Sequence, residues 1–196
     1  MAFFNFNASP LPLPTPQYDA RQLNELNRIL RLYFNRIDTF IPPHGSFYDT
    51  TDQVAVSTTT AYPLTFNNTA FAVGAGIKDS SKITVTNSGT YNIQFSCQLA
   101  NNSNATQDID IWFRRNGTDI ADSNSRFGLS PRKSAGDPYH VIGSLNFFVT
   151  LEVGDYVQLM WRTSSVDAYI EHYPAGTSPT RPAVPSVIAT IAWITA

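Results

Sequence analysis

From about residue 46 to residue 196 the chain is written in short runs that alternate apolar and polar side chains, with turn signals between them, and this pattern most constrains its fold. In "DIDIWFRRNGTDIADS", Ile109, Ile111 and Phe113 alternate and then meet Asn116-Gly117, the strongest short hairpin signal. "KITVTNSGTYNIQFSCQLA" reads as a strand, a turn at Asn87-Ser88-Gly89 and a second strand. "GSLNFFVTLEVGDYVQLMWRTS" reads as two strands about Gly154-Asp155. "QVAVSTTTAYPLTF" is two short strands, or one kinked at Pro63; "DAYIEHY" is a short strand and "SVIATIAWIT" a closing one. Residues 122–138 and 174–185 read as long polar loops, the second carrying Pro174, Pro179, Pro182 and Pro185, and are the expected variable surface. The even spacing predicts a mainly β fold, an antiparallel sandwich or barrel.

Ahead of this region stand two different segments. Residues 1–16 place Phe3, Phe4 and Phe6 before Pro10, Pro12, Pro14 and Pro16, a composition that favours an extended arm. Such an arm needs a holder, whether a neighbouring subunit, a partner or its own domain, with the three phenylalanines as anchors. Residues 17–41 read as an amphipathic helix. Leu23, Leu26, Leu30, Tyr33, Ile37 and Phe40 recur at spacings of 3, 4, 3, 4 and 3, with Ile29 and Phe34 widening the apolar face. Thr15 or Asp19 suits the N-cap, Gln22 completes a capping-box pattern after Asp19, and Pro42-Pro43 stops the helix. The stripe suits two arrangements: a helix packed on its own β domain, or one that joins symmetry mates into a bundle.

Charge and cysteine content narrow the function classes. Only 14 % of the 196 residues are charged and the net charge is −2, so no basic field attracts nucleic acid. The polar surface must be made of Asn, Ser, Thr, Gln and Tyr. The single cysteine, Cys97, lies in an apolar run and reads as a small buried hydrophobe. No targeting segment is visible and no apolar run is long enough to insert in a membrane. Sequon triplets at Asn67, Asn104 and Asn116 read as chance in an Asn/Thr-rich chain. A neutral, amide-rich surface without an export signal fits a particle assembled inside a cell and released by lysis.

Catalytic chemistry finds little footing. His44, His140 and His172 are scattered, with no paired metal-ligand spacing, and neither a nucleophile elbow nor a phosphate-binding loop is present. Asp108 and Asp110 share a strand face and read as solvated; Asp119 and Asp122 could complete a calcium site only with backbone oxygens. The expectation is a non-enzyme with no catalytic residue, metal or cofactor. Trp112, Trp161 and Trp193 read as core or interface, whereas Tyr139, Tyr169 and Tyr173, near loops, are candidates for surface recognition of a host glycan or receptor.

Residues 46–196 resemble the C1q/TNF-like jelly roll. Gly89 and Tyr91 sit as in its small-Gly-x-Tyr turn, Asn116-Gly117 as in its hairpin, Leu151, Gly154, Asp155 and Val157 as in its Leu-x-x-Gly-Asp-x-Val stretch, and "SVIATIAWIT" at its final core strand. The resemblance implies a ten-strand jelly-roll sandwich that forms tight trimers. The helix then stands where a stalk often precedes such heads, with Leu23, Leu30 and Ile37 at one seam and Leu26, Tyr33 and Phe40 at the other. The segment "PTPQYDARQLNELNRILRLYFNRID" is similar to the start of virion structural proteins of marine tailed bacteriophages. Together these imply a homotrimeric virion protein, a capsid decoration or fibre-like appendage. Phe3, Phe4, Phe6 and the helix stripe would dock on other virion proteins, with the head facing outward. The alternative from another class is a lectin-like module that binds a glycan or receptor.

Overall fold

The structure, a computed structural model, describes residues 10–14, 16–17, 19–39 and 41–195. It divides into an N-terminal unit ending at Pro42 and a β unit spanning Pro43–Thr195. Phe3, Phe4, Phe6 and Phe40, expected at an interface, and Thr15, expected as an N-cap, lie outside the described residues.

In the N-terminal unit, helix α1 runs Ala20–Asp38. Asp19 is its N-cap, with Oδ1 accepting from Arg21 N–H at 2.8 Å, which satisfies a donor the helix cannot. The Gln22 side-chain amide donates to the Leu13 carbonyl, tying the Pro-rich segment to the first helical turn. At the other end Thr39 closes the helix, its N–H and Oγ1 both donating to the Asn35 carbonyl at 3.1 and 2.8 Å. The helix is shorter than the 17–41 span expected, because the cap forms at Asp19 and Thr39 ends it ahead of Pro42-Pro43.

The β unit is antiparallel throughout its named strands. Its elements are β1 (His44–Asp49), β2 (Tyr62–Pro63), β3 (Asn68–Val73), β4 (Ala75–Lys78), β5 (Lys82–Val85), β6 (Gly89–Asn101), β7 (Gln107–Arg115), β8 (Thr118–Asp119), β9 (Ser125–Leu129), β10 (Tyr139–Leu151), β11 (Tyr156–Thr163), β12 (Ala168–Ile170), β13 (Gly176–Thr177), β14 (Thr180–Arg181) and β15 (Val187–Thr195). One sheet is ordered β10-β6-β15-β1-β3, and β12 takes over from β15 along β6. The other is ordered β4-β5-β11-β7-β8, with β2 on β11 and β9 on β7. The chain crosses between sheets from β5 to β6, β6 to β7 and β10 to β11, a topology compatible with a jelly roll.

Alternation places the core between the sheets. Tyr91, Ile93, Phe95, Cys97 and Leu99 of β6 are buried, as are Ile109, Ile111 and Phe113 of β7 and Val157, Leu159 and Trp161 of β11. Phe113 bridges the layers, stacked on Phe147 at 4.6 Å and tilted to Phe95 at 6.0 Å. Burial pushes the Cys97 thiol pKa up, as for an inert buried hydrophobe, and raises that of Tyr91 to about 12. The Tyr91 hydroxyl donates to the Asn87 carbonyl at 2.6 Å.

Three stretches differ from the sequence expectation, and a fourth carries strands where none was assigned. In "QVAVSTTTAYPLTF" only Tyr62–Pro63 is a strand. Gln53 replaces ladder pairing there: its side chain exchanges hydrogen bonds with the Thr65 backbone at 2.9 and 3.2 Å, and its backbone bridges Ile170. Residues 122–138 are not all loop, since β9 adds to β7 with Leu129 buried and Arg126 turned outward. Within 174–185, β13 and β14 form a small hairpin about Ser178-Pro179. Residues 68–78 make two strands about Gly74, whose φ of +63° suits glycine.

Candidate functional site

The helix carries the first candidate surface. None of its residues is buried; Leu23, Tyr33 and Ile37 of the expected stripe are exposed, and Leu26 and Leu30 are half-buried. Between the arm and the helix, Pro12, Pro14, Pro16, Leu23 and Leu26 line a shallow groove of about 350 Å³. An amphipathic helix of this length is marginal alone in water and gains its stability by covering its apolar face.

The second surface is the outer face of the β10-β6-β15-β1-β3 sheet. Strand register fixes which side chains share it: Asn146, Gln94, Thr190, Ser46 and Phe71 form one row across all five strands. Parallel to it, Phe148, Asn92, Ala192, His44 and Val73 form another. Ser144, Ser96, Ile188 and Tyr48 form a third, and Ile142 with Gln98 continues it towards Ala100. No Lys, Arg, Asp or Glu projects from these rows. Phe71, Phe148, Ile142 and Ile194 lie exposed between 49 and 60 %, large apolar side chains set among amides and hydroxyls.

The opposite sheet is different. Its outer face holds Asp110, only 3 % exposed, between Arg126 and Arg162 at 2.8 and 2.7 Å. Burial raises the Asp110 pKa, but the two guanidiniums outweigh it and hold the carboxyl below its ordinary range. Asp110 is therefore not the solvated group expected of it. Asp119, a candidate calcium ligand, is instead bound to Arg114 at 2.6 Å. Among the described residues no three His, Cys, Asp or Glu gather as a metal site would require.

At the Ala100 end of the uncharged face, side chains that the sequence left scattered come together. His140 of β10 and Tyr169 of β12 flank Ala100 in register. His140 Nδ1 lies 3.0 Å from Glu171 Oε2, and Nε2 lies 3.1 Å from the Tyr173 hydroxyl. The Tyr169 hydroxyl donates to Glu171 Oε1 at 3.2 Å. Burial pushes Glu171 above the ordinary carboxylate range and Tyr169 to about 12. Tyr139, the third candidate, instead packs against the core. The sequence signal for this network is the period-2 spacing of Tyr169, Glu171 and Tyr173; nothing local ties them to His140.

No protein-family model matches this chain, and no curated protein matches it as a relative.

Proposed function

We propose that this chain is the protomer of a homotrimeric virion structural protein of a tailed bacteriophage, a capsid decoration or a fibre-like appendage. In this reading the N-terminal arm and helix dock on other virion proteins and the β unit is an outward jelly-roll head of the C1q/TNF type. The observation that carries the self-association is the uncharged outer face of the five-strand path. Rotational symmetry sets groups near the axis against their own copies, so a charge there repels itself, and a face without charge avoids that cost. In flat projection five strands at about 4.8 Å spacing and about 3.3 Å rise give roughly 600 Å². With side-chain relief that approaches one side of a standard interface, about 800 Å² per partner. The strand order and the bare helix stripe support the same reading, the first for the head and the second for docking.

Light scattering on the full chain and on residues 43–196, a unit with its own core, tests it. Trimers of both assign assembly to the head and leave the helix for attachment. A trimer only at full length moves assembly to the helix, and a monomeric full chain overturns the trimer. The lectin-like alternative draws on Tyr169 and Tyr173, but their hydroxyls are already engaged with Glu171 and His140. Glycan binding by the head, with a dispensable arm, would favour that alternative.

A further inference from the structure

Glu171 is an acidic group at the edge of the uncharged face, and among the described residues its basic contact is the His140 imidazole. With the imidazole neutral, the network of His140, Glu171, Tyr169 and Tyr173 carries one negative charge. We propose that association of copies through this face takes up a proton at the His140–Glu171 pair, so that mild acid tightens the assembly. The inference rests on the self-association reading above.

The reason is electrostatic. Covering the face removes water from a carboxylate that is already largely enclosed, its side chain 14 % exposed. A desolvated net charge is costly, and a single proton cancels it. On His140 the proton makes an imidazolium–carboxylate pair; on Glu171 it makes a neutral acid beside a neutral ring. In the first case Nε2–H donates to the Tyr173 oxygen, and that hydroxyl turns its own hydrogen elsewhere. Either placement leaves the face without net charge.

Among the described residues, the surroundings add no competing cation to Glu171. From β6, the facing side chains are Ala100 and Gln98. From the segment before β2, Asp52 accepts the His172 N–H at 2.7 Å, and its charge disfavours ionisation of Glu171. Burial, then the Glu171 charge, keeps the Tyr173 phenol protonated; Asp137 and Arg181 act on it with opposite signs. Asp137 is itself paired with Lys133 at 3.6 Å. His44, in the Asn92 row and against Phe71 at 5.8 Å, is the other imidazole on the face.

The sign follows. The assembled state binds the proton more tightly than the separate chains do, so association strengthens as pH falls. One proton per chain tightens association by at most about tenfold per pH unit for each chain joined. Sedimentation of the full chain at about pH 8 and about pH 6 reads this directly. Glu171→Gln keeps the shape and removes the charge. The expected result is tighter assembly at about pH 8 than the parent and loss of the pH dependence. Both proteins are also compared in a His44→Gln background, which removes the other imidazole of the face and should leave the same outcome. In the His44→Gln background, an assembly insensitive to pH, weakened by acid, or still pH-dependent once Glu171→Gln is added overturns the proton uptake while leaving self-association standing. A chain monomeric at both pH values overturns the association itself.

Discussion

The side-chain amide of Asn116 donates to Asp155 Oδ1 at 2.6 Å, joining the turn after β7 to the turn before β11. The same side chain accepts from Tyr156 N–H at 3.0 Å, while Asp155 Oδ2 accepts from Glu152 N–H at 3.0 Å. Two turns 39 residues apart in sequence are thus closed by one pair. Asn116 has φ +48° and Gly117 φ +84°, the left-handed pair that a tight hairpin needs. The Glu152 N–H, then the Asn116 amide, hold the Asp155 carboxyl below its ordinary range.

Removing either partner should loosen both turns. Asn116→Ala and Asp155→Ala are each expected to cost about 1 kcal/mol, since the pair is exposed and solvent screens it. The double variant should cost less than the sum, with a coupling of about 0.5 kcal/mol. Urea unfolding of the four proteins measures it, and strict additivity would show that the turns are independent. Because the folded pKa of Asp155 is depressed, its contribution is present above the unfolded carboxylate pKa and fades as pH falls through the folded one.

Glycines at turns should rank by what a side chain would meet. At Gly89 an added Cβ comes within 2.3 Å of Trp193 Nε1 and 2.4 Å of the Thr195 carbonyl oxygen, with φ +152°. Gly89→Ala is therefore expected to cost about 3 kcal/mol or to prevent folding. At Gly154 nothing lies within 4 Å and only φ, at +93°, resists. Gly154→Ala should cost about 1 kcal/mol. Thermal melts of the two variants check the order; equal losses would mean that backbone conformation alone sets the penalty.

The Asp110 site predicts an acid-sensitive term. Asp110→Asn keeps the volume but removes the charge between Arg126 and Arg162. A loss of about 2 kcal/mol at neutral pH is expected, below the cost of breaking a fully buried pair because both guanidiniums reach solvent. With a depressed folded pKa, the wild-type advantage exists above the unfolded value of about 3.9 and is lost as pH falls further. The stability curves of parent and variant should converge in acid. A constant gap from neutral to acid pH would assign the loss to packing instead.

Most β elements were legible because their determinants are local. β6, β7, β11 and β15 alternate over most of their length, and the turns at Asn87-Ser88-Gly89, Asn116-Gly117 and Gly154-Asp155 stand where the residues put them. β9 was not legible: Arg126 reads as loop until Asp110, 16 residues away, is seen to hold it. Of the two short strands, or one kinked at Pro63, expected within residues 53–66, only Tyr62–Pro63 forms, because Gln53 meets its needs with one amide and an isolated bridge. Tyr169 and Tyr173 were singled out as aromatics near loops, but their partner His140 joins them only through strand pairing with β6. The uncharged face escaped for a similar reason. β3, β6, β10 and β15 each lack Lys, Arg, Asp and Glu, but that they share one face emerges only when the strands are laid side by side in register.

That face also gives the sharpest test of self-association. Thr190 is exposed near its centre, between Gln94 and Ser46 in register. Thr190→Glu adds one charge there and disturbs no core side chain. Its cost to the stability of the single chain should stay within about 1 kcal/mol, the range of strand propensity. Association is expected to weaken by more than about tenfold, because the symmetric contact repeats the charge around its axis. Thr118→Glu, at an exposed site on the other sheet, carries the same charge and should leave association unchanged. Lys at position 190 should weaken association as Glu does, since repulsion between copies does not depend on sign. If both charged variants at 190 assemble like the parent, the copies meet elsewhere. The exposed stripe of Leu23, Tyr33 and Ile37 on α1 would then be the next surface to charge.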